Sequence, residues 1–96
     1  MIDRQKIHKQ VIAHFGWSEQ MAKATEGLDE LKEEIWKYLN SPNNKEELLG
    51  ELADVLNMTE QLVIITTEEL KLFALEDVKN KQNFKMIRTK GLIENE

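Results

Sequence analysis

No cysteine occurs in this chain, which removes disulfides, thiolate nucleophiles and cysteine-ligated zinc from consideration. One proline and four glycines are the only strong punctuation. Strict apolar/polar alternation is absent as well, so strands have no signal and the chain reads as helix throughout. No apolar run approaches the ~20 residues needed to cross a bilayer. The first ten residues, MIDRQKIHKQ, lack the apolar core of a signal peptide, so a soluble cytoplasmic protein with no membrane partner is expected. Basic residues are also in short supply: 13 Lys and Arg against 18 Asp and Glu give a net charge of −5 and a pI near 5.1. That balance argues against general nucleic-acid binding, which needs clustered bases to displace counterions. Metal-assisted phosphate chemistry stays compatible with it, because bound cations invert the local sign.

What is present fits one domain over residues 1–96, with a core over about 14–88 and a short acidic tail at 90–96. A chain this short leaves apolar surface uncovered, so self-association is expected. The periodicity predicts a first helix over Asp3 to His14, with Ile7, Val11 and Ile12 inward. Ser18 caps a second helix in which Met21, Ala24, Leu28, Leu31, Ile35 and Leu39 recur at steps of three and four. NSPNN, residues 40–44, ends it by turn chemistry. A third helix runs from Lys45 to about Ile65. Thr66 and Glu69 have capping-box spacing, which predicts a fourth from about Thr67 to Thr89, stopped at Gly91. The expected fold is an all-α four-helix bundle.

Carboxylates are the candidate chemistry. Glu51 and Asp54 lie one turn apart beside the apolar stripe of the third helix. Half-buried acids must be paired, protonated or neutralised by a cation, and two facing pairs would suit Mg²⁺. The alternative is that both are solvated edge residues, with Lys45 in reach. On the second helix Glu26, Glu30 and Glu33 share a face, and Gly27 is the polar-side position closest to the core. Glycine there costs about 1 kcal/mol of helix stability and packs nothing.

These residues carry a resemblance. "HFGWSEQMAKATEGLDEL" followed by "GELADVLNM" is similar to the MazG-type all-helical nucleotide pyrophosphohydrolases, related to dimeric dUTPases and phosphoribosyl-ATP pyrophosphohydrolase. Their pattern is EExxE on one helix and ExxD on the next. Glu51 and Asp54 match ExxD, Glu26 and Glu30 match the outer acids of EExxE, and Gly27 falls on the middle glutamate. "VKNKQNFKMIR" is similar to the family's K-x-x-x-N segment, with Lys79 and Asn83 in the matching places. The resemblance implies a dimer or tetramer that releases pyrophosphate from a nucleoside triphosphate. It implies Mg²⁺ or Mn²⁺ held by Glu30, Glu51 and Asp54 with Glu26 auxiliary, and nucleotide contacts from Gln20, Lys79 and Asn83. The departure at Gly27 implies altered catalysis, room for a larger ligand, or a non-catalytic homologue that binds a nucleotide or a protein. Glu34 shares the azimuth of position 27 but lies about 10 Å along the helix, so using it demands another register.

Other candidates carry bland readings. His8 and His14, six apart, face different ways and read as turn or surface residues. Trp17 and Trp36 read as core or dimer contacts rather than base-stacking platforms. Lys79, Lys81, Lys85, Arg88 and Lys90 suit the carboxy-terminal end of a helix.

Overall fold

The computed structural model describes all of residues 1–96 and contains four α-helices and no strand. They are α1 (Arg4–Phe15), α2 (Trp17–Asn40), α3 (Lys45–Ile64) and α4 (Leu75–Glu94), with a π-helical turn, Ile65–Glu69, closing α3. Asp3 starts α1, its Oδ1 accepting the Lys6 N–H at 3.1 Å. Gly16 sits between α1 and α2 at φ +92°, a conformation that excludes a side chain, and the chain turns there. Gly16, rather than Ser18, is therefore the cap of α2.

α1 is shifted from the expected face. Its buried residues are His8 and Ile12, while Ile7 is exposed. The reason is an ionic anchor on α3. His8 Nε2 lies 2.9 Å from Glu60 Oε1, and Arg4 Nε donates to both Glu60 oxygens at 3.2 and 3.3 Å. These partners hold the Glu60 carboxyl below its ordinary value, the His8 bond being the largest cause. His8 is thus a core residue and not a surface one, while His14 is exposed and packs edge-on against Phe15. Ile12 meets Ile64 and Ile65 in the one apolar cluster, with Met21 and Leu70 against it.

The fourth helix begins later than expected. Thr66 and Thr67 do not cap it; their hydroxyls donate back to the Leu62 and Val63 carbonyls at 2.8 and 2.7 Å, and the helix runs on as a π-turn. Lys71, at φ +51°, then takes the left-handed conformation that ends helices. α4 starts at Leu75, where Asp77 Oδ2 accepts the Ala74 N–H at 2.9 Å. It passes through Gly91 to Glu94, taking up most of the expected tail.

α2 and α3 form the body as an antiparallel hairpin. Its seam on α2 is Gln20, Ala24, Gly27, Leu31 and Glu34, and on α3 Leu48, Glu51, Val55, Met58 and Gln61. The α2 series alternates steps of four and three, and the α3 series does so as far as Met58, the spacing of coiled-coil packing. The expected inward residues Leu28, Ile35 and Leu39 are 50%, 46% and 71% exposed. Helix α2 turns its small and polar positions to α3 and leaves this stripe beside the seam. Trp17 and Trp36 are exposed too, so neither belongs to the core. No helix is long and apolar enough to cross a membrane.

Candidate functional site

The seam carries two buried polar layers. Near one end Gln20 Nε2 donates to Gln61 Oε1 at 2.7 Å, both residues buried. Gln20 is therefore committed to the opposite helix. Near the other end Asn44, just before α3, donates to the Glu34 main-chain carbonyl at 3.0 Å and to Glu34 Oε2 at 2.6 Å. Lys37 Nζ reaches Glu34 Oε1 at 3.3 Å. Glu34 is held below its ordinary value, first by the Asn44 bond, with Lys37 assisting.

Between these layers lies the acid cluster. Glu51 is half-buried, and its Oε2 is sealed from solvent without a hydrogen-bond partner. Its carboxyl is pushed above the ordinary value, first by burial, then by Glu30 within hydrogen-bonding reach, then by the charges of Asp54 and Glu34. Four carboxylates from two helices thus crowd one place in the seam. A buried acid without a counter-charge is unfavourable, and a bound cation would relieve it. The donor chemistry, all carboxylate oxygen, fits a hard divalent ion such as Mg²⁺. No group of three or more acids or histidines already converges at metal-holding distances. The side chains would have to draw together around an ion.

A cleft of about 220 Å³ opens one turn away, lined by Lys23, Glu26, Gly27, Glu30, Asp54 and Met58. Glu30 and Asp54 border both the cleft and the Glu51 cluster. Glu26 lines the cleft and takes no part in raising the Glu51 carboxyl. A Cβ on Gly27 would meet only Met58 Cγ, at 3.9 Å. Position 27 therefore abuts Met58, and of the α2 acids Glu30 is within hydrogen-bonding reach of Glu51 while Glu34 acts on it through its charge alone. Glu34 adds its charge near Glu51 while its own carboxylate is held by Asn44 and Lys37. Lys23 is the cleft residue that the sequence did not single out. It lies four residues before Gly27, on the same side of α2 as Glu26 and Glu30, and carries no periodic apolar signal.

Lys79 and Asn83 are exposed on α4, which buries no side chain, and neither lines the cleft of its own chain. Comparison with models of known protein families, with curated proteins and with solved structures finds no match to this chain.

Proposed function

We propose that this chain is a Mg²⁺-dependent nucleotide pyrophosphohydrolase of MazG-like kind, releasing pyrophosphate from an NTP or dNTP as a cytoplasmic homo-oligomer. The observation that carries the reading is the Glu51 carboxylate, sealed among Glu30, Asp54 and Glu34 with an unpartnered oxygen. Glu30, Glu51 and Asp54 would hold the ion, with Glu26 at the cleft edge and Mn²⁺ as a substitute. When bound, the ion would neutralise triphosphate charge and orient the attacking water. Glu34, tied down by Asn44 and Lys37, would fix the inner wall without moving. The exposed apolar residues Leu49, Leu52 and Leu56 of α3 favour assembly of several copies.

A second reading, favoured by the missing acid at Gly27 and the absence of a preconverged ligand group, is a non-catalytic homologue that binds a nucleotide or a protein. One experiment separates them. Pyrophosphate release is measured over a panel of ribo- and deoxyribonucleoside triphosphates, with and without millimolar Mg²⁺ or Mn²⁺, for the natural chain and for Gly27→Glu. Metal-dependent release by the natural chain supports the enzyme. Release only by Gly27→Glu, or by neither folded protein, supports the second reading.

A further inference from the structure

The chain is too open for its mass. Its radius of gyration is 16.2 Å, whereas a compact chain of this length has about 12.5 Å. Its accessible surface is 7957 Å² at 11.2 kDa, about 2,300 Å² more than a compact monomer of that mass exposes. A stable association needs about 800 Å² from each partner. Most of the excess follows from α4, a 20-residue helix that buries no side chain. A helix of that length is marginal alone in water, so α4 needs a cover.

Charge identifies the cover. Between residues 79 and 90, α4 carries Lys79, Lys81, Lys85, Arg88 and Lys90 and no acid. Helix α2 has six acids and three bases, and α3 five acids and one base. On α4, Lys81, Phe84, Lys85 and Arg88 recur at steps of three and four and so share one face. Phe84 is 62% exposed. On the hairpin, the coiled-coil register puts Glu26, Glu30, Gly50 and Asp54 on one side of the seam, with the seam residue Gly27 at the floor of the cleft there. Packing within the chain requires neither glycine: a Cβ at Gly50 would meet nothing within 4 Å, and at Gly27 only Met58. Two missing side chains leave an acidic trough along that side.

The trough of the same chain is not covered by its own α4. Leu75, where α4 starts, lies with Gln5, Lys9, Ile64 and Glu68 at the far end of α3, after the left-handed turn at Lys71. We propose that α4 of one copy lies in the acidic trough of a second copy, and reciprocally, with Lys81, Lys85 and Arg88 against Glu26, Glu30 and Asp54 and with Phe84 over Gly27. This closes both exposed helices with one symmetric exchange. It rests on charge and exposed surface rather than on turnover, and it makes the partner helix and the proposed cation competitors for Glu30 and Asp54.

Light scattering on the full chain at low salt should give twice the 11.2 kDa chain mass. Raising NaCl to ~1 M, where screening acts within about 3 Å, should weaken association tenfold or more. Lys81→Glu/Lys85→Glu/Arg88→Glu, all on exposed positions, should be monomeric and keep by circular dichroism the helical signal and cooperative unfolding of the α2–α3 hairpin. Because the chain has no cysteine, two single-cysteine chains, Lys85→Cys and Glu26→Cys, should cross-link to each other on mixing and not to themselves. A monomeric natural chain at low salt overturns the proposal. So does a dimer indifferent to the triple charge reversal, or a Lys85→Cys/Glu26→Cys chain that closes its disulfide within one monomer.

Discussion

Gly27→Ala should stabilise the chain, whereas Gly16→Ala should destabilise it, although both sites have room for a methyl. At Gly27 the backbone is ordinary α-helix and the new Cβ meets Met58 Cγ at 3.9 Å, an ordinary van der Waals distance. The substitution recovers about 0.8–1.0 kcal/mol of helix propensity. It also places a methyl against Met58, worth a fraction of the ~0.8 kcal/mol of a buried methylene. About 1 to 1.5 kcal/mol of stabilisation is expected, which for a domain of this size raises Tm by roughly 5 to 10 °C. At Gly16 nothing lies within 4 Å of a Cβ, but φ is +92°. An L-residue there is strained by about 1–2 kcal/mol, so the loss comes from the backbone alone.

The assay is urea unfolding followed by far-ultraviolet circular dichroism. It is run in the Lys81→Glu/Lys85→Glu/Arg88→Glu background, so that chain separation does not enter the midpoint. The slope with denaturant should stay constant between variants, because neither changes the surface exposed on unfolding. If Gly27→Ala lowers the midpoint in that background, the seam around Met58 is tighter than 3.9 Å allows. The reasoning that Gly27 serves something outside the chain's own packing then fails.

Glu51→Gln should stabilise the metal-free protein at neutral pH. The folded chain holds this proton more tightly than the unfolded one, so stability falls as pH rises from the ordinary value of 4.5 through the raised folded value, and the deficit persists above it. Melting in EDTA at pH 7 should favour the variant, and near pH 3.5 the gain should vanish. Asp54→Asn should abolish cation-dependent nucleotide binding, read by calorimetry, and any turnover; unchanged activity removes Asp54 from the site. Gln61→Leu should cost about 1–3 kcal/mol in urea unfolding, because Gln20 is left buried without its 2.7 Å partner. Adding Gln20→Leu should recover most of that loss, since both unsatisfied groups are then gone.

The four helices were legible because the chain contains almost nothing else: strong helix formers, one proline, and a turn cluster at residues 40–44. Their junctions were less so. The Thr66 and Glu69 spacing suits a helix start, but a threonine hydroxyl bonds equally well to the carbonyl four residues back. With Ile65 fully buried, continuing the helix past Ile64 wins. The seam itself was misread for a related reason. Periodicity picks out the largest apolar residues, so Leu28 and Ile35 outvoted Gln20 and Gly27, while Ala24 is inward by periodicity and by structure alike. In a chain that exposes so much surface, the strongest apolar stripe need not face the chain's own core. Small residues mark the close approach of two helices, and buried amides that bond only each other fix its register.

Register also decides what Glu34 stands against. Its distance from position 27 along α2 is real, but the relevant question is which residue of α3 stands opposite. In an antiparallel hairpin each step forward on one helix is a step back on the other. Gly27 lies against Met58, and seven residues further along α2, Glu34 comes opposite the residue seven earlier on α3, which is Glu51. The two contacts share one register. A Cβ at position 27 meets Met58 at the edge of the cleft that Glu30 and Asp54 line, whereas the acid at 34 adds its charge near Glu51 from further along the seam. Which acids gather is decided by hairpin register, and the short turn at Asn44 sets that register by clamping Glu34 through its carbonyl and carboxylate. Asn44→Ala should then release Glu34, restore its carboxyl toward the ordinary value in NMR titration, and lower the free energy of unfolding by about 1–3 kcal/mol. An unshifted Glu34 in that variant would separate the clamp from the cluster.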